Sequence, residues 1–433
     1  MLTAFYQAFR TPDLRKKLLF TLFIIVIFRL GASLPTPGVS EKAVSTCVGS
    51  AAKTGILGLV NLLSGGALLH LTVFALGIMP YITASIILQL LAVVIPRLET
   101  LRKEGAAGTA KITQYTRYLT IGLAILQSTA IIALAESGNL FPSCPANLIP
   151  NRSVYTISTM VICMTAGTAV IMWLGELITD RGVGNGMSLL IFTQVIAVIP
   201  GQLGAILAGE GAFIFLLVLA VGVLIVAAVA FMEQAQRRIP VQYAKRMVGR
   251  KMYGGTSTYI PLKVNQAGVI PVIFASSLLY IPALAANLFG NRSATSGWAN
   301  WVQTHLVRGD DMYYMTGFFI LILLFTYFYV SITFNPDEVA ENMRKAGGFI
   351  PGIRPGGPTA GYLRFVLNRL TAPGSLYLGI VALIPMLAIA LVHTGSQFPL
   401  GGTSILIAVG VGLDTVKQVE SQLQQRHYEG FLR

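Results

Sequence analysis

Gly77-Ile-Met-Pro-Tyr-Ile-Thr-Ala-Ser-Ile-Ile-Leu88 and Gly268-Val-Ile-Pro-Val-Ile-Phe-Ala-Ser-Ser-Leu-Leu279 carry the same residue at six of twelve offsets: Gly, Pro, Ile, Ala, Ser and Leu. A shorter pair, Gly186-Met-Ser-Leu-Leu-Ile191 and Gly402-Thr-Ser-Ile-Leu-Ile407, repeats in the same manner. All four phrases lie in long apolar stretches. The number of such stretches between the partners decides the architecture.

A membrane-crossing helix needs about 20 mostly apolar residues. Ten segments qualify: 18–34, 71–95, 118–135, 154–175, 186–207, 213–232, 267–289, 314–334, 374–392 and 403–419. Both repeat pairs are then five spans apart. Five is odd, so the partners run through the bilayer in opposite directions, which predicts two inverted five-span halves. The expected fold is an all-α polytopic membrane protein with halves 1–207 and 208–433. Composition agrees, with 54% hydrophobic and 11% charged residues, where a soluble domain carries about 25% charged.

The net charge of +14 is mostly topological. Of the 31 Lys and Arg, 24 fall in the N-terminal arm, alternate loops and the C-terminal tail, and 5 in the opposite loops. The positive-inside rule makes the first set cytoplasmic, with both termini there. This distribution speaks against a nucleic-acid enzyme. The basic Arg15-Lys16-Lys17 before an apolar stretch resembles a signal peptide, but the span count requires an uncleaved first span.

The spans are almost free of ionisable residues, which ion-coupled transporters place at mid-membrane. Arg29 is expected to snorkel from span one, and Asp414 and Lys417 to pair or reach the interface. No protease or ATPase motif is present. The three cysteines and four scattered histidines form no metal pattern. Cys47 and Cys144 fall in loops on the same outer face, within reach of a disulfide, and are expected as unpaired thiols. A conduit lined by apolar and small side chains fits best, with no cofactor. A secondary solute transporter, which also uses inverted repeats, is the rival.

Pro80 and Pro271 are expected to kink their spans. Thr83, Ser85, Ser276 and Ser277 offer hydroxyls to a helix seam or to freed carbonyls. Gly55–His70, apolar but broken by Ser64-Gly65-Gly66, reads either as a re-entrant half-helix or as an amphipathic helix on the outer surface. Two basic cytoplasmic loops, about 233–265 and 335–373, stand out. In the first, Ile239, Val241 and Tyr243 alternate before a Gly254-Gly255 turn, predicting a β-hairpin-like arm. The second holds "GFIPGIRPGGP" (348–358), whose prolines and glycines stiffen the setting of a single Arg354.

Seven stretches in chain order, among them "ALGIMPYITASIILQLL" (75–91), "KEGAAGTAKITQYTRY" (103–118), "GVGNGMSLLIF" (182–192), "RRIPVQYAKRMVGR" (237–250), "PLKVNQAGVIPVIFASS" (261–277), "FNPDEVAENMRKAGGFIPGIRPG" (334–356) and "GGTSILI" (401–407), resemble the SecY family of bacterial protein-translocation channels. The resemblance implies a pore ring of Ile78, Ile82, Met187, Ile191, Ile273 and Ile407, with Met187 a departure from the usual branched residues. It implies a plug carrying Leu57, Leu59, Val60, Leu62, Leu63, Ser64, Gly65, Gly66, Leu68 and Leu69. It implies a lateral gate, where spans two and three meet seven and eight, including Pro80, Thr83, Ser85, Gln89, Pro271, Ser276 and Ser277. Arg246, Arg250, Lys251 and Arg354 match docking positions. The implied partners are SecE, SecG, the SecA motor, the ribosome, signal-sequence-bearing polypeptides and membrane lipids, in the cytoplasmic membrane.

Overall fold

The computed structural model describes residues 9–44, 47, 64–136, 148–209, 211–243, 246–248, 251–253, 257–289, 297–306, 311–392 and 402–429. Helices dominate: α1 Pro12–Ser33, α2 Met79–Val94, α3 Pro96–Lys103, α4 Ala106–Glu136, α5 Val154–Arg181, α6 Gly186–Gly209 and α7 Ala212–Gln234 come first. After a β segment follow α8 Ile270–Phe289, α9 Gly297–His305, α10 Met312–Thr333, α11 Pro336–Lys345, α12 Gly357–Val392 and α13 Gly402–Glu429. Each of the ten expected spans has a helix at its place.

Among the described residues, six helices are long and apolar enough to cross a membrane, or seven if the bent pair α2 and α3, 105° apart, counts as one span. Three of the four helices missing from ten have plain causes, and α8 is counted only over Ile270–Leu279. Lys16, Lys17 and Arg29 load α1 with charge, and the C-terminal half of α13 is polar. Helix α2, with 16 residues, is about 24 Å long, short of a hydrocarbon core of about 30 Å.

Span two was expected from residue 71, but its helix begins at Met79. Residues 64–78 are a chain of turns, apart from a bridge between Thr72 and Pro35. Gly65 and Gly66 hold φ of 68° and 88°, and Leu71 is left-handed at 46°, so the backbone cannot propagate a right-handed helix there. The Ser64–Leu69 part of the expected plug helix is therefore turned. Ser64, Leu68 and Leu69 are buried, which removes the outer-surface alternative for them. Leu57, Leu59, Val60, Leu62 and Leu63 lie outside the described residues.

Pro80 and Pro271 do not kink helices. Both stand second in α2 and α8, where proline's missing N–H would have no partner anyway and its fixed φ suits the first turn. Each helix is started, not broken, by the repeated phrase.

The β segment contains β1 Gln236–Tyr243, β2 Arg246–Val248, β3 Lys251–Tyr253 and β4 Ser257–Lys263, with a short β5 Gly348–Phe349 later in the chain. β1 pairs antiparallel with β4, Gln236 opposite Lys263 and Gln242 opposite Ser257. β2 pairs with β3. The hairpin-like arm thus forms as the alternation implied, with Ile239 and Val241 buried and their neighbours Arg238 and Gln242 exposed. Nothing in the residue pattern marks that β5, from the other basic loop, completes the sheet in the order β4-β1-β5.

Cys47 is disulfide-bonded, correcting the expectation of an unpaired thiol. Its candidate partner Cys144 lies outside the described residues, and Cys163 is free.

Candidate functional site: an apolar waist and a cytoplasmic docking unit

The two copies of the repeat build the same local structure. Gly77 and Gly268 have φ of 55° and 61°. Two residues later each helix begins, and the Ile82 N–H donates to the Ile78 carbonyl at 3.1 Å, as the Ile273 N–H does to Val269 at 3.4 Å. This turn places Ile82 and Ile273 in equivalent positions. Ile78, Ile82, Ile191, Ile273 and Ile407 are all buried in one apolar cluster. Met187 packs on its edge, over Gly175 of α5, which has no side chain to obstruct it.

The expected gate residues lie on α2 and α8, and these helices pack directly on one another, with α4 also against α8. Their hydroxyls do not tie the seam. Thr83 donates to Met79 O at 3.0 Å, and Ser276 and Ser277 both donate to Ile273 O at 2.8 Å, each within its own helix. Gln89 donates to Ser85 Oγ at 3.2 Å, also on one helix. Among the described residues the two helices meet through side-chain packing, with a nearby polar tie that sequence reasoning missed. Arg102 of α3 donates to the carbonyl of Ile332 at the end of α10, 2.8 Å away. A cation at a helix C-terminus is favoured by the macrodipole, but nothing in the spacing of Arg102 marks its partner 230 residues on.

The two basic loops form one unit. Gln242 pairs with Phe349 and Tyr243 with Gly348. Beneath that sheet Ile239, Val241, Leu262, Met343, Ile350, Leu363 and Val366 make a second apolar core. Helix α12, with 36 residues, is about 54 Å long, so it overruns the membrane and its first turns supply the floor of this core. Helix α11 is capped by the Asn335 side chain, which accepts from the Asp337 N–H at 3.2 Å. It carries Asp337 and Glu338 in its first turn and Arg344 and Lys345 in its last, as the macrodipole favours.

Arg354 projects from the loop between β5 and α12 and is exposed. Its own carbonyl accepts from Thr359 Oγ1 at 2.9 Å, and Ile353 N–H bonds Ile350 O at 3.0 Å. Gly352 and Gly356 take φ of 84° and 105°. The loop is therefore held by hydrogen bonds and a buried Ile350 as well as by its prolines. Arg246 and Lys251 stand on the β2–β3 tip, while Arg250 lies outside the described residues. The Arg238 guanidinium lies 4.8 Å from the Tyr259 ring centroid, a cation–π contact on the arm's exposed face.

A joint connects this unit to α8. The N–H of Val264 donates to Ala235 O at 3.0 Å, extending the β1–β4 ladder. Asn265 Nδ2 then donates to the buried Glu233 Oε1 at 2.5 Å and to Gly268 O at 3.2 Å. Glu233 and Asn265 read in the sequence as loop ends. Asp414 pairs with Lys263 at 3.1 Å and not with Lys417. Glu176, assigned no role by sequence, forms a two-pronged pair with Arg117 of α4 at 2.9 and 2.7 Å.

Fold and site together define a class: a multi-pass helical membrane protein whose repeated phrases bury isoleucines in one apolar core, with two basic loops joined in a separate sheet-and-helix unit. A model of the SecY family matches residues 72–416. The chain is 66% identical to the protein translocase subunit SecY of Streptomyces galbus over 441 aligned positions, covering all of both chains. It is 59% identical to that of Mycobacterium tuberculosis, again over the full length of both. Among solved structures, one described as a protein conducting channel superposes with a TM-score of 0.65 at 18% identity, covering 94% of this chain and 91% of that one. Sec61 in the canine ribosome–channel complex gives 0.61 at 18% identity, with the same coverages. The chain belongs to the SecY family.

Proposed function

We propose that the chain is the protein-conducting channel of a translocase, passing unfolded secretory polypeptides across the membrane and releasing membrane segments sideways into lipid. The observation that carries this reading is the burial of Ile78, Ile82, Ile191, Ile273 and Ile407 within one continuous apolar core, contributed by both copies of both repeats. Branched apolar side chains offer no site to an ion and exclude water when closed, yet can part around a chain of any sequence. The solute-transporter alternative loses its support with the family assignment. The chain performs no catalysis and carries no cofactor in this reading.

The remaining roles follow. The turned segment from Ser64 to Leu69, with the residues before it, is the plug; α2 and α4 against α8 and α10 are the lateral gate. The sheet β4-β1-β5, with Arg246, Arg250, Lys251 and Arg354, receives the SecA motor or the translating ribosome, which supplies the energy. Basic groups in these positions suit acidic protein faces and phosphate backbones. SecE and SecG are the small membrane partners. The Lys and Arg asymmetry supports an orientation with both termini and this unit on the inner side of the cytoplasmic membrane.

The test is reconstitution. Vesicles holding the channel with its small partners should import a signal-bearing polypeptide when given motor and ATP, and take up no small solute. Solute uptake without polypeptide import would overturn the reading.

A further inference from the structure

Gln194 of α6 is almost fully buried, at 1% exposure, yet neither Nε2 nor Oε1 of its side chain has a hydrogen-bond partner. It lies one helical turn beyond Ile191, on the same side of α6. A Cβ built on Gly77, the neighbour of Ile78, would stand 2.9 Å from its Nε2. A Cβ on Gly65 would stand 3.2 Å from the Gln194 Cα and 3.3 Å from Arg29 Nη1. Arg29 Nη1 is itself buried and without a partner. An unpaired amide and an unpaired guanidinium nitrogen thus converge beside the isoleucine cluster, under the Ser64–Gly66 turn. Two left-handed glycines, Gly65 and Gly77, leave them room.

Leaving a buried amide unsatisfied costs about 1–3 kcal/mol, and leucine would fill the same volume without that cost. That cost is repaid when the pair bonds an incoming polar group. A conduit that admits any sequence can bond only what all polypeptides share, namely backbone N–H and C=O. A primary amide offers two donors and an acceptor, and a guanidinium adds further donors and no acceptor.

We infer that Gln194 and Arg29 form a binding subsite for the main chain of the threading polypeptide, covered at rest by the Ser64–Gly66 turn. In transit, Gln194 Nε2 donates to a substrate carbonyl and its Oε1 accepts a substrate N–H. Arg29 Nη1 donates to a further carbonyl. The isoleucines supply the seal and the polar pair supplies transient grip. This rests on the channel reading above.

The test uses the full complex in vesicles with motor and ATP, and compares Gln194→Leu and Gln194→Asn with the parent. Two preproteins of unlike side-chain composition are imported, and resting ion permeability is measured in parallel. Gln194→Leu should slow transit about three- to tenfold, equally for both preproteins, with resting permeability unchanged and partial recovery in Gln194→Asn. An arrested chain bearing a photo-crosslinker at successive positions should label the α6 segment around residue 194 from every position. Unchanged transit in Gln194→Leu overturns the inference. So does a rise in resting leak without slower transit, which would make Gln194 a seat for the plug. If the parent complex imports neither preprotein, the channel reading fails instead.

Discussion

Gly77 and Gly268 occupy the same place in the two halves and share the same left-handed backbone, φ 55° and 61°. Both launch a helix two residues on, at a proline-containing first turn. The repeat is therefore a conformational device: it starts a helix beside the waist and sets an isoleucine into it from opposite directions.

Replacing either glycine by alanine should destabilise the fold by unequal amounts. At Gly268 a Cβ meets nothing within 4 Å, so the cost is backbone strain alone, about 1–2 kcal/mol. At Gly77 the same strain is joined by a collision with Gln194. Thermal unfolding in detergent should rank parent, Gly268→Ala, then Gly77→Ala from most to least stable; equal losses would contradict the packing around Gly77.

Glycine at both Ile82 and Ile273 should open the waist. Resting vesicles carrying the double variant should leak ions, because two of the buried isoleucines proposed to form the seal lose their side chains. Permeability equal to the parent's would remove the seal from these residues.

The cytoplasmic core predicts that the two basic loops loosen together. Leu262, 0% exposed, touches a core fed by both, and Leu262→Ala should cost about 2–5 kcal/mol in that unit. Limited proteolysis should then cut the 244–256 tip and the 350–356 loop at similarly raised rates. Enhanced cutting of one loop alone would argue against a shared core.

Arg354→Glu reverses an exposed charge that the fold does not use for packing. Channel abundance and unfolding temperature should match the parent, while motor- or ribosome-dependent import falls steeply. Normal import would reduce Arg354 to a topology signal.

Asn265→Ala removes the hydrogen bond to buried Glu233 and the tie to Gly268 O. Leaving that carboxylate without its donor should cost at least about 1–3 kcal/mol, measured as a lower unfolding temperature. Glu233→Gln, which keeps an acceptor facing Asn265, should lose less. The reverse order would mean that the pair is not what holds this joint.

How much of this was legible from residues differs from place to place. The helices at the ten spans, the arm's alternation at Ile239 and Val241, and the equivalence of Ile82 with Ile273 were all readable. Each depends on local periodicity or on a repeat. Where Pro80 and Pro271 act was misread, because a proline inside an apolar stretch looks the same whether the helix passes through it or begins there. The backbone of Gly77 and Gly268 settles that point.

Sequence by itself determined that this chain is a helical membrane protein of many spans built on an internal repeat. Those properties are sums over many residues, and no single contact is needed to express them. Tertiary structure alone decided that Gly348 and Phe349 add a strand to a sheet begun at Gln236, that Arg102 caps a helix ending 230 residues later, and that Gln194 is left unpaired beside Gly65 and Gly77. Such pairings depend on which distant segments meet, and a hydrogen-bonding group carries no mark of its eventual partner until packing brings the two together.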